Sequence, residues 1–218
     1  PIVKDGRLFG RGSGDNKAGV VVHYNVVKEL LNDLPVNIKI FVEGEEEIGS
    51  PTMSDFIEQN RDSLEADVIV IADSGNVKIG VPTVTTTLRG LVDGIIEVDQ
   101  PMRPIHSGVG GGVVPDAFMV LSRIIASFHN DKGELMIEGL TTTDMQVTEL
   151  EESFMKKMLG SDEIHLFDTE SISKRLWLEP ALDVLAIDAP PVKDAVNLVI
   201  PKASAKISLR LPPTEDPE

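Results

Sequence analysis

Two short apolar runs decide the fold class, NIKIFVE at residues 37–43 and DVIVIAD at residues 67–73. Both are rich in β-branched residues and nearly continuous in apolar character, which is typical of strands buried on both faces of a sheet. Ser50 and Pro51 lie between them and predict a helix start, with serine as the N-cap and proline at the first helical position. The segment therefore predicts a strand–helix–strand unit of the α/β class, in a mostly parallel sheet covered by helices.

A helix is predicted upstream of this unit, from Asp15 to about Asp33. Apolar residues recur there at three- and four-residue spacing, which is the period of a buried amphipathic helix. The members of this stripe are Val20, Tyr24, Val27 and Leu31. In open α/β sheets the chemistry collects beyond the carboxyl ends of the strands. Candidate functional residues are therefore expected after residue 42 and after residue 72.

A second, α+β domain is predicted over about residues 88–212, after a threonine-rich extended connector. Residues 204–211 alternate apolar and polar side chains, which indicates a half-exposed antiparallel strand. The other predicted elements are a strand at 91–98, a glycine-rich loop at 106–112, a helix from 115 to about 130 and a strand near 182–188. The acidic region between that helix and the strand near 182–188 is less regular, with helical patches.

Composition narrows the classes of partner. The 218 residues include 36 acidic and 20 basic side chains, a formal charge of −16, and such a surface repels phosphate backbones and anionic lipids. We therefore expect no nucleic acid and no membrane partner. There is no cysteine, so carboxylates and the four histidines are the possible metal ligands. The chain has no cationic and apolar leader, so a cytoplasmic location is expected.

Acidic residues stand at three points of the first domain where a strand ends or a glycine-containing turn begins: Asp15, the run Glu45–Glu47, and Asp73. Carboxylates that converge repel one another unless cations neutralise them, so convergence would imply one or two divalent metals. Adjacent glutamates that point in different directions could then divide metal binding and proton transfer. Each residue also has a simpler explanation, as a helix cap, a solvated turn or a polar strand end.

The motifs around these residues resemble the M20 family of metallopeptidases, especially its carnosinase-like dipeptidase branch. The resemblance rests on stretches that follow one another in the family's order and cover nearly the whole chain. They are GRGSGDNKAG at 10–19, EGEEEIGS at 43–50, IADS at 71–74, TLRG at 87–90, IHSGVGGG at 105–112 and NLVIPKASAKISLRLP at 197–212. The resemblance implies a zinc-exopeptidase-like catalytic domain, partial at residues 1–87, and an inserted ferredoxin-like lid or dimerisation domain at 88–212. Residues 213–218 would begin the return to the catalytic domain.

By this resemblance, Asp15 bridges two divalent metal ions, zinc or alternatively manganese or cobalt. Glu46 is the general base, Glu47 is a ligand of one metal, and Asp73 is a ligand of the other. The implied reaction is metal-assisted hydrolysis of amide bonds in dipeptides or small peptides that carry a free carboxylate. Two alternatives stay open, an N-acyl amino acid deacylase or desuccinylase of the same family and a non-catalytic dimerisation module.

The resemblance also assigns residues in the second domain. His106 is expected to stabilise the oxyanion of the tetrahedral intermediate, in dimeric members in the partner subunit's active site. Arg210 is expected to bind the terminal carboxylate of the substrate, a role that suits the bidentate geometry of a guanidinium. Asn197 would be a further substrate contact. Without the resemblance, the simpler explanations are a backbone-bonded loop histidine, a solvated charge and a turn-capping amide.

Two expected metal ligands have no counterpart in the sequence. Members of the family carry one histidine ligand in a His-x-Asp motif upstream of the Gly-Arg-Gly stretch, and another near the end of the returning catalytic domain. We therefore expect this chain to be an internal fragment of the enzyme, with poor or absent metal affinity and activity by itself. A homodimer formed through the lid is expected for the parent protein.

Overall fold

The computed structural model describes residues 1–76, 78 and 80–216. The chain divides into two compact units, Pro1–Thr85 and Thr86–Glu218, which are described separately. None of the helices in the described ranges is both long and apolar enough to span a bilayer.

Short elements and long connections make up the first unit. An antiparallel pair opens it, β1 (Ile2–Lys4) with β2 (Arg7–Phe9), followed by helix α1 (Lys17–Leu30). A 3₁₀ turn (Glu46–Ile48), α2 (Met53–Gln59) and α3 (Arg61–Leu64) complete the regular elements. The predicted helix from Asp15 is confirmed as α1, which begins two residues later because Asn16 is its N-cap.

The two runs that predicted buried strands do not form strands in the described structure. Residues 37–43 and 67–73 are irregular, and the four side chains from Val68 to Ile71 are 72–79% exposed. A β-branched run becomes a strand when a neighbouring strand satisfies its N–H and C=O groups and covers its faces. Within the described residues neither run has such a neighbour, so the predicted parallel sheet is absent there. The helix between them also starts later than predicted, after Thr52.

The second unit contains a three-stranded antiparallel sheet of β3 (Gly90–Asp99), β5 (Ala181–Asp188) and β7 (Lys202–Leu211), with β7 in the centre. The strands predicted near 91–98, 182–188 and 204–211 are therefore confirmed. A separate antiparallel pair joins β4 (Ile105–His106) to β6 (Leu198–Val199). The helices are α4 (Ser107–Gly110), α5 (Ala117–Ser127), α6 (Glu152–Leu159) and α7 (Ile172–Trp177). A 3₁₀ turn covers Val192–Asp194.

The core of this unit lies between α5 and one face of β7. Ala117 and Leu121 of α5 pack with Ala203 and Ala205, which are at most 2% exposed. Every second residue of β7, from Lys202 to Arg210, lies on the opposite, polar face. There Lys202 and Lys206 form ion pairs with acidic residues of β3. The alternation predicted for residues 204–211 is therefore observed. Mixed helix and sheet agree with the α/β class, although every strand pair among the described residues is antiparallel.

Candidate active site

Three of the acidic candidates line one cavity of about 330 Å³ in the first unit. Asp15, Glu46 and Asp73 come from three segments far apart in sequence. The other lining residues are Gly14, Asn16, Ser74 and Gly75. The structure therefore brings together the loop before α1, the glutamate turn and the end of the second apolar run.

The helix-capping role considered for Asp15 belongs to its neighbour. Asn16 is the N-cap of α1, and its Oδ1 accepts a hydrogen bond from the backbone N–H of Gly19 at 2.8 Å. The Asp15 carboxylate is exposed and, among the described residues, accepts no hydrogen bond. Its oxygens are therefore available to a ligand in the cavity.

Asn16 also connects α1 to the third segment of the cavity. Its Nδ2 donates to the backbone oxygen of Ala72 at 2.5 Å and to Oδ1 of Asp73 at 2.7 Å. With two acceptors at Nδ2 and one donor at Oδ1, the hydrogen bonds define the orientation of the amide. Asn16 was not among the residues selected from the sequence. The signal that could have identified it is its position, directly after a candidate ligand and three residues before Gly19.

Gly19 permits the close approach of α1 to Ala72. A Cβ atom at this position would lie 2.1 Å from the backbone oxygen of Ala72 and 2.9 Å from two side-chain atoms of Asn16. Gly19 is the buried residue of α1. The helix can therefore reach the end of the second apolar run because this residue has no side chain.

Replacing Gly19 with alanine is expected to destabilise the protein by about 1–3 kcal/mol, the usual cost of an overpacked site. At an unobstructed helix position the same change stabilises by about 0.5–1 kcal/mol, so the sign of the effect is diagnostic. The measurement is the free energy of unfolding in denaturant. Gly44→Ala is the matched control, because a Cβ there meets no atom within 4 Å. A stabilised Gly19→Ala variant would show that the contact with Ala72 does not exist.

The three consecutive glutamates have different environments. Glu45 is engaged in local structure, since its Oε2 accepts from the Thr52 hydroxyl at 2.6 Å and its backbone oxygen accepts from Ser50 N–H at 3.0 Å. Glu46 begins the 3₁₀ turn and faces the cavity, whereas Glu47 is exposed and does not line it. In a 3₁₀ turn, successive side chains diverge by about a third of a revolution. This divergence gives the neighbouring glutamates separate directions, in a 3₁₀ turn rather than an extended one.

Partial desolvation and nearby carboxylates raise the pKa of Glu46 above its ordinary value. Desolvation contributes most, although the side chain is largely solvent-accessible, and repulsion from Glu47, Asp73, Asp15 and Glu43 adds to it. A carboxyl group whose pKa is raised is a better proton acceptor when ionised. The direction of the shift is therefore compatible with a general base.

The donor chemistry of the cavity suits divalent cations. Oxygen ligands from several carboxylates are accepted by zinc, manganese and cobalt, and a bound cation would remove the repulsion around Glu46. Glu43 is a further carboxylate with an unsatisfied oxygen, because its Oε1 is buried without a hydrogen-bond partner among the described residues. Among the residues that the structure describes, no group of three or more His, Cys, Asp or Glu side chains is close enough together to enclose a metal. The residues of the cavity thus have the charge and the ligand atoms that suit a divalent metal, but they are not arranged as a complete coordination shell.

His106 and Asn197 are neighbours in the second unit. The β4–β6 pair places His106 opposite Leu198, and the backbone N–H of Ser107 donates to the Asn197 oxygen at 2.9 Å. Nδ1 of His106 accepts from Gly108 N–H at 3.0 Å, so the simpler backbone-bonded explanation holds for that nitrogen. In the neutral ring this bond requires the proton to be on Nε2. The exposed Nε2–H is therefore a hydrogen-bond donor available to a ligand.

Arg210 lies on the polar face of β7, opposite Leu91 and Ala181 in the sheet register. Arg89, directly before β3, is half-buried, and its pKa is lowered by burial and then by repulsion from Arg210. Asp183 partly opposes this shift. The two guanidinium groups therefore form a local cationic patch on an acidic protein, and Arg89 is a member that was not predicted from the sequence.

Comparison with known proteins gives consistent matches along the chain. The family model for peptidase family M20/M25/M40 matches residues 1–205. A cysteinylglycine-S-conjugate dipeptidase of Corynebacterium striatum is 37% identical over 96% of this chain and 48% of its own length. A Beta-Ala-His dipeptidase of Mus musculus is 32% identical over 98% of this chain and 46% of its own length.

A solved structure agrees with these matches. The crystal structure of an M20 family metallo-carboxypeptidase from Sulfolobus solfataricus superposes with a TM-score of 0.78 at 28% identity, covering 99% of this chain and 52% of that one. The chain thus spans about half the length of the curated relatives it matches.

Proposed function

The chain belongs to peptidase family M20/M25/M40, and we propose that the full-length protein is a metallopeptidase that hydrolyses dipeptides or small peptides bearing a free carboxylate. The observation that carries the proposal is the one cavity that Asp15, Glu46 and Asp73 all line. The dipeptidases among the relatives support it, because they are named for cysteinylglycine conjugates and for Beta-Ala-His.

In the proposed site, Asp15 would bridge two divalent cations, with Glu47 as a ligand of one and Asp73 as a ligand of the other. Zinc is the favoured ion, and manganese or cobalt are alternatives. The cations would polarise the scissile carbonyl and make a water molecule more acidic. Support for Asp15 and Asp73 comes from their positions in the cavity lining and from the availability of the Asp15 oxygens. Glu47 does not line the cavity, and its support is that its charge is among those that raise the pKa of Glu46.

Glu46 would carry the proton through the reaction. It would take a proton from the water that attacks the carbonyl carbon, and later give that proton to the leaving amine. Its position in the cavity and its raised pKa support the assignment. Glu45 does not compete for this role, because its carboxylate is bonded to Thr52.

Residues of the second unit would recognise the substrate and the transition state. His106 would donate from Nε2 to the developing oxyanion, a role supported by the hydrogen bond that leaves its proton on that nitrogen. Arg210 would bind the substrate carboxylate, with Arg89 adding positive charge beside it. Asn197, next to the histidine strand, would be a further substrate contact. We propose that residues 88–212 form a lid that also makes a homodimer, and that residues 1–87 belong to the catalytic domain.

The proposal predicts metal-dependent cleavage by the full-length protein. A panel of Cys-Gly, β-Ala-His and one N-acetyl amino acid, supplied with Zn²⁺ or Mn²⁺, should give dipeptide hydrolysis that a chelator abolishes and added metal restores. Cleavage of the N-acetyl amino acid instead would favour the deacylase alternative within the family. A folded, metal-loaded protein that cleaves no member of the panel would contradict the proposed substrate class. A protein that binds no metal would favour the non-catalytic alternative.

A further inference from the structure

Asn16 lines the cavity, and both its amide N–H groups and its side-chain oxygen form hydrogen bonds within the protein. Its partners lie on two segments, α1 through Gly19 and the 72–73 segment through Ala72 and Asp73. These segments are more than 50 residues apart in sequence. Asn16 is half-buried, so its bonds are partly protected from competition with water. One side chain therefore couples the start of the helix to a candidate metal ligand.

Helix capping alone does not explain an asparagine at this position. Aspartate and serine cap helices about as well as asparagine does, through the same kind of side-chain oxygen. Neither can provide the two N–H donors that reach Ala72 and Asp73. The additional property of asparagine at position 16 is therefore its donation to the segment that carries Asp73.

We infer that Asn16 is a positioning residue that orients the Asp73 carboxylate toward the cavity, an inference that rests on the proposed function of that cavity. The bond to Oδ1 holds one oxygen of Asp73 and leaves Oδ2 for a cation. Because Asn16 directly follows Asp15, the same residue limits the separation of the two carboxylates. Hydrogen bonds of this kind to metal-binding carboxylates orient the ligand and sustain metal affinity.

The test replaces Asn16 with serine and, separately, with aspartate in the full-length protein. Both changes keep an oxygen for the Gly19 N–H and remove the Nδ2 group, which donates to Ala72 and Asp73 at the same time. We expect the affinity for Mn²⁺, measured by calorimetry on the metal-free protein, to fall about 10–100-fold in the serine variant. The fall should be smaller in the aspartate variant, because its added carboxylate attracts the cation. Turnover of the preferred dipeptide should fall through kcat, with KM nearly unchanged, because the Asn16 amide is already bonded to Gly19, Ala72 and Asp73. Protection of the Gly19 amide in hydrogen exchange should persist, which separates positioning from capping.

Asn25→Ser is the matched control, because the exposed Asn25 lies on the same helix and its side chain, among the described residues, donates only to the backbone oxygen of Val21, at 2.8 Å. It should bind Mn²⁺ as the wild type does. Unchanged Mn²⁺ affinity and kcat in both Asn16 variants, with a wild type that binds Mn²⁺, would overturn the inference and leave the proposed function intact. A wild type that binds neither Mn²⁺ nor Zn²⁺ would contradict the proposed function, and the inference with it.

Discussion

Replacing Glu46 with glutamine in the full-length protein is expected to lower kcat by about 10²–10⁴-fold, the usual contribution of a general base. Glutamine preserves the size of the side chain but cannot take a proton from water. In the proposed site Glu46 is not a metal ligand, so the variant should still bind Zn²⁺ or Mn²⁺. The measurements are kcat for the preferred dipeptide at saturating metal and metal affinity by calorimetry.

The adjacent Glu45 offers a matched control for this prediction. Its carboxylate accepts from the Thr52 hydroxyl, and the oxygen of a glutamine could accept the same bond. Glu45→Gln should therefore keep kcat near the wild-type value. A Glu46→Gln variant that retains turnover within tenfold of the wild type would remove Glu46 from the proton-transfer role. Loss of metal binding in that variant would make Glu46 a ligand instead.

The second unit could be predicted from the sequence because its strands have partners in this chain. The alternation along residues 204–211 is complete, and β7 pairs on both sides with strands that were also predicted. Packing of Ala203 and Ala205 against α5 then stabilises the alternation. Local pattern and long-range packing agree here, and such agreement allows the structure to be predicted from the sequence.

The two strands predicted for the first unit, at 37–43 and 67–73, are wrong. An apolar pattern shows that a segment would be stable as a buried strand, but it does not show whether neighbouring strands are present. The runs at 37–43 and 67–73 have the composition of buried strands, but burial and pairing come from other segments, and the described residues do not supply them. The convergence of Asp15, Glu46 and Asp73 survives this error. Side-chain bonds of Asn16, rather than a ladder of strands, join the start of α1 to the segment that carries Asp73.

Some of the site could not be read from the sequence at all. The motif containing the three glutamates did not show which carboxylate is occupied by local structure, and this became clear only from the bond between Glu45 and Thr52. Arg89 belongs to the TLRG motif, yet its proximity to Arg210 depends on the pairing of β3 with β7. Partners of this kind are set by register, which a single sequence does not reveal.

Replacing Asp15 with asparagine is expected to weaken metal binding by more than about 100-fold, beyond the effect of losing an indirect contact. The stability of the metal-free protein should not fall with it. Asp15 accepts no hydrogen bond from the described residues, and its charge contributes to the repulsion that raises the pKa of Glu46. Removing that charge relieves repulsion in the cavity and offsets the lost attraction to the N-terminus of α1. If Asp15 acted in folding instead, its replacement would lower the stability of the metal-free protein and leave the metal affinity unchanged.

Calorimetric titration with Zn²⁺ and thermal unfolding of the metal-free protein test the two halves of this prediction together. Asp33→Asn is the matched control, since Asp33 lies beyond the far end of α1, about 20 Å from the cavity by the rise of the helix. It should change neither quantity appreciably. Wild-type Zn²⁺ affinity in Asp15→Asn would exclude Asp15 as a bridging ligand. A fall of more than about 4 °C in the melting temperature of the metal-free variant would instead assign Asp15 to the folding of the loop before α1. The combination of lost affinity and retained stability therefore distinguishes a carboxylate kept for a cation from one kept for the fold.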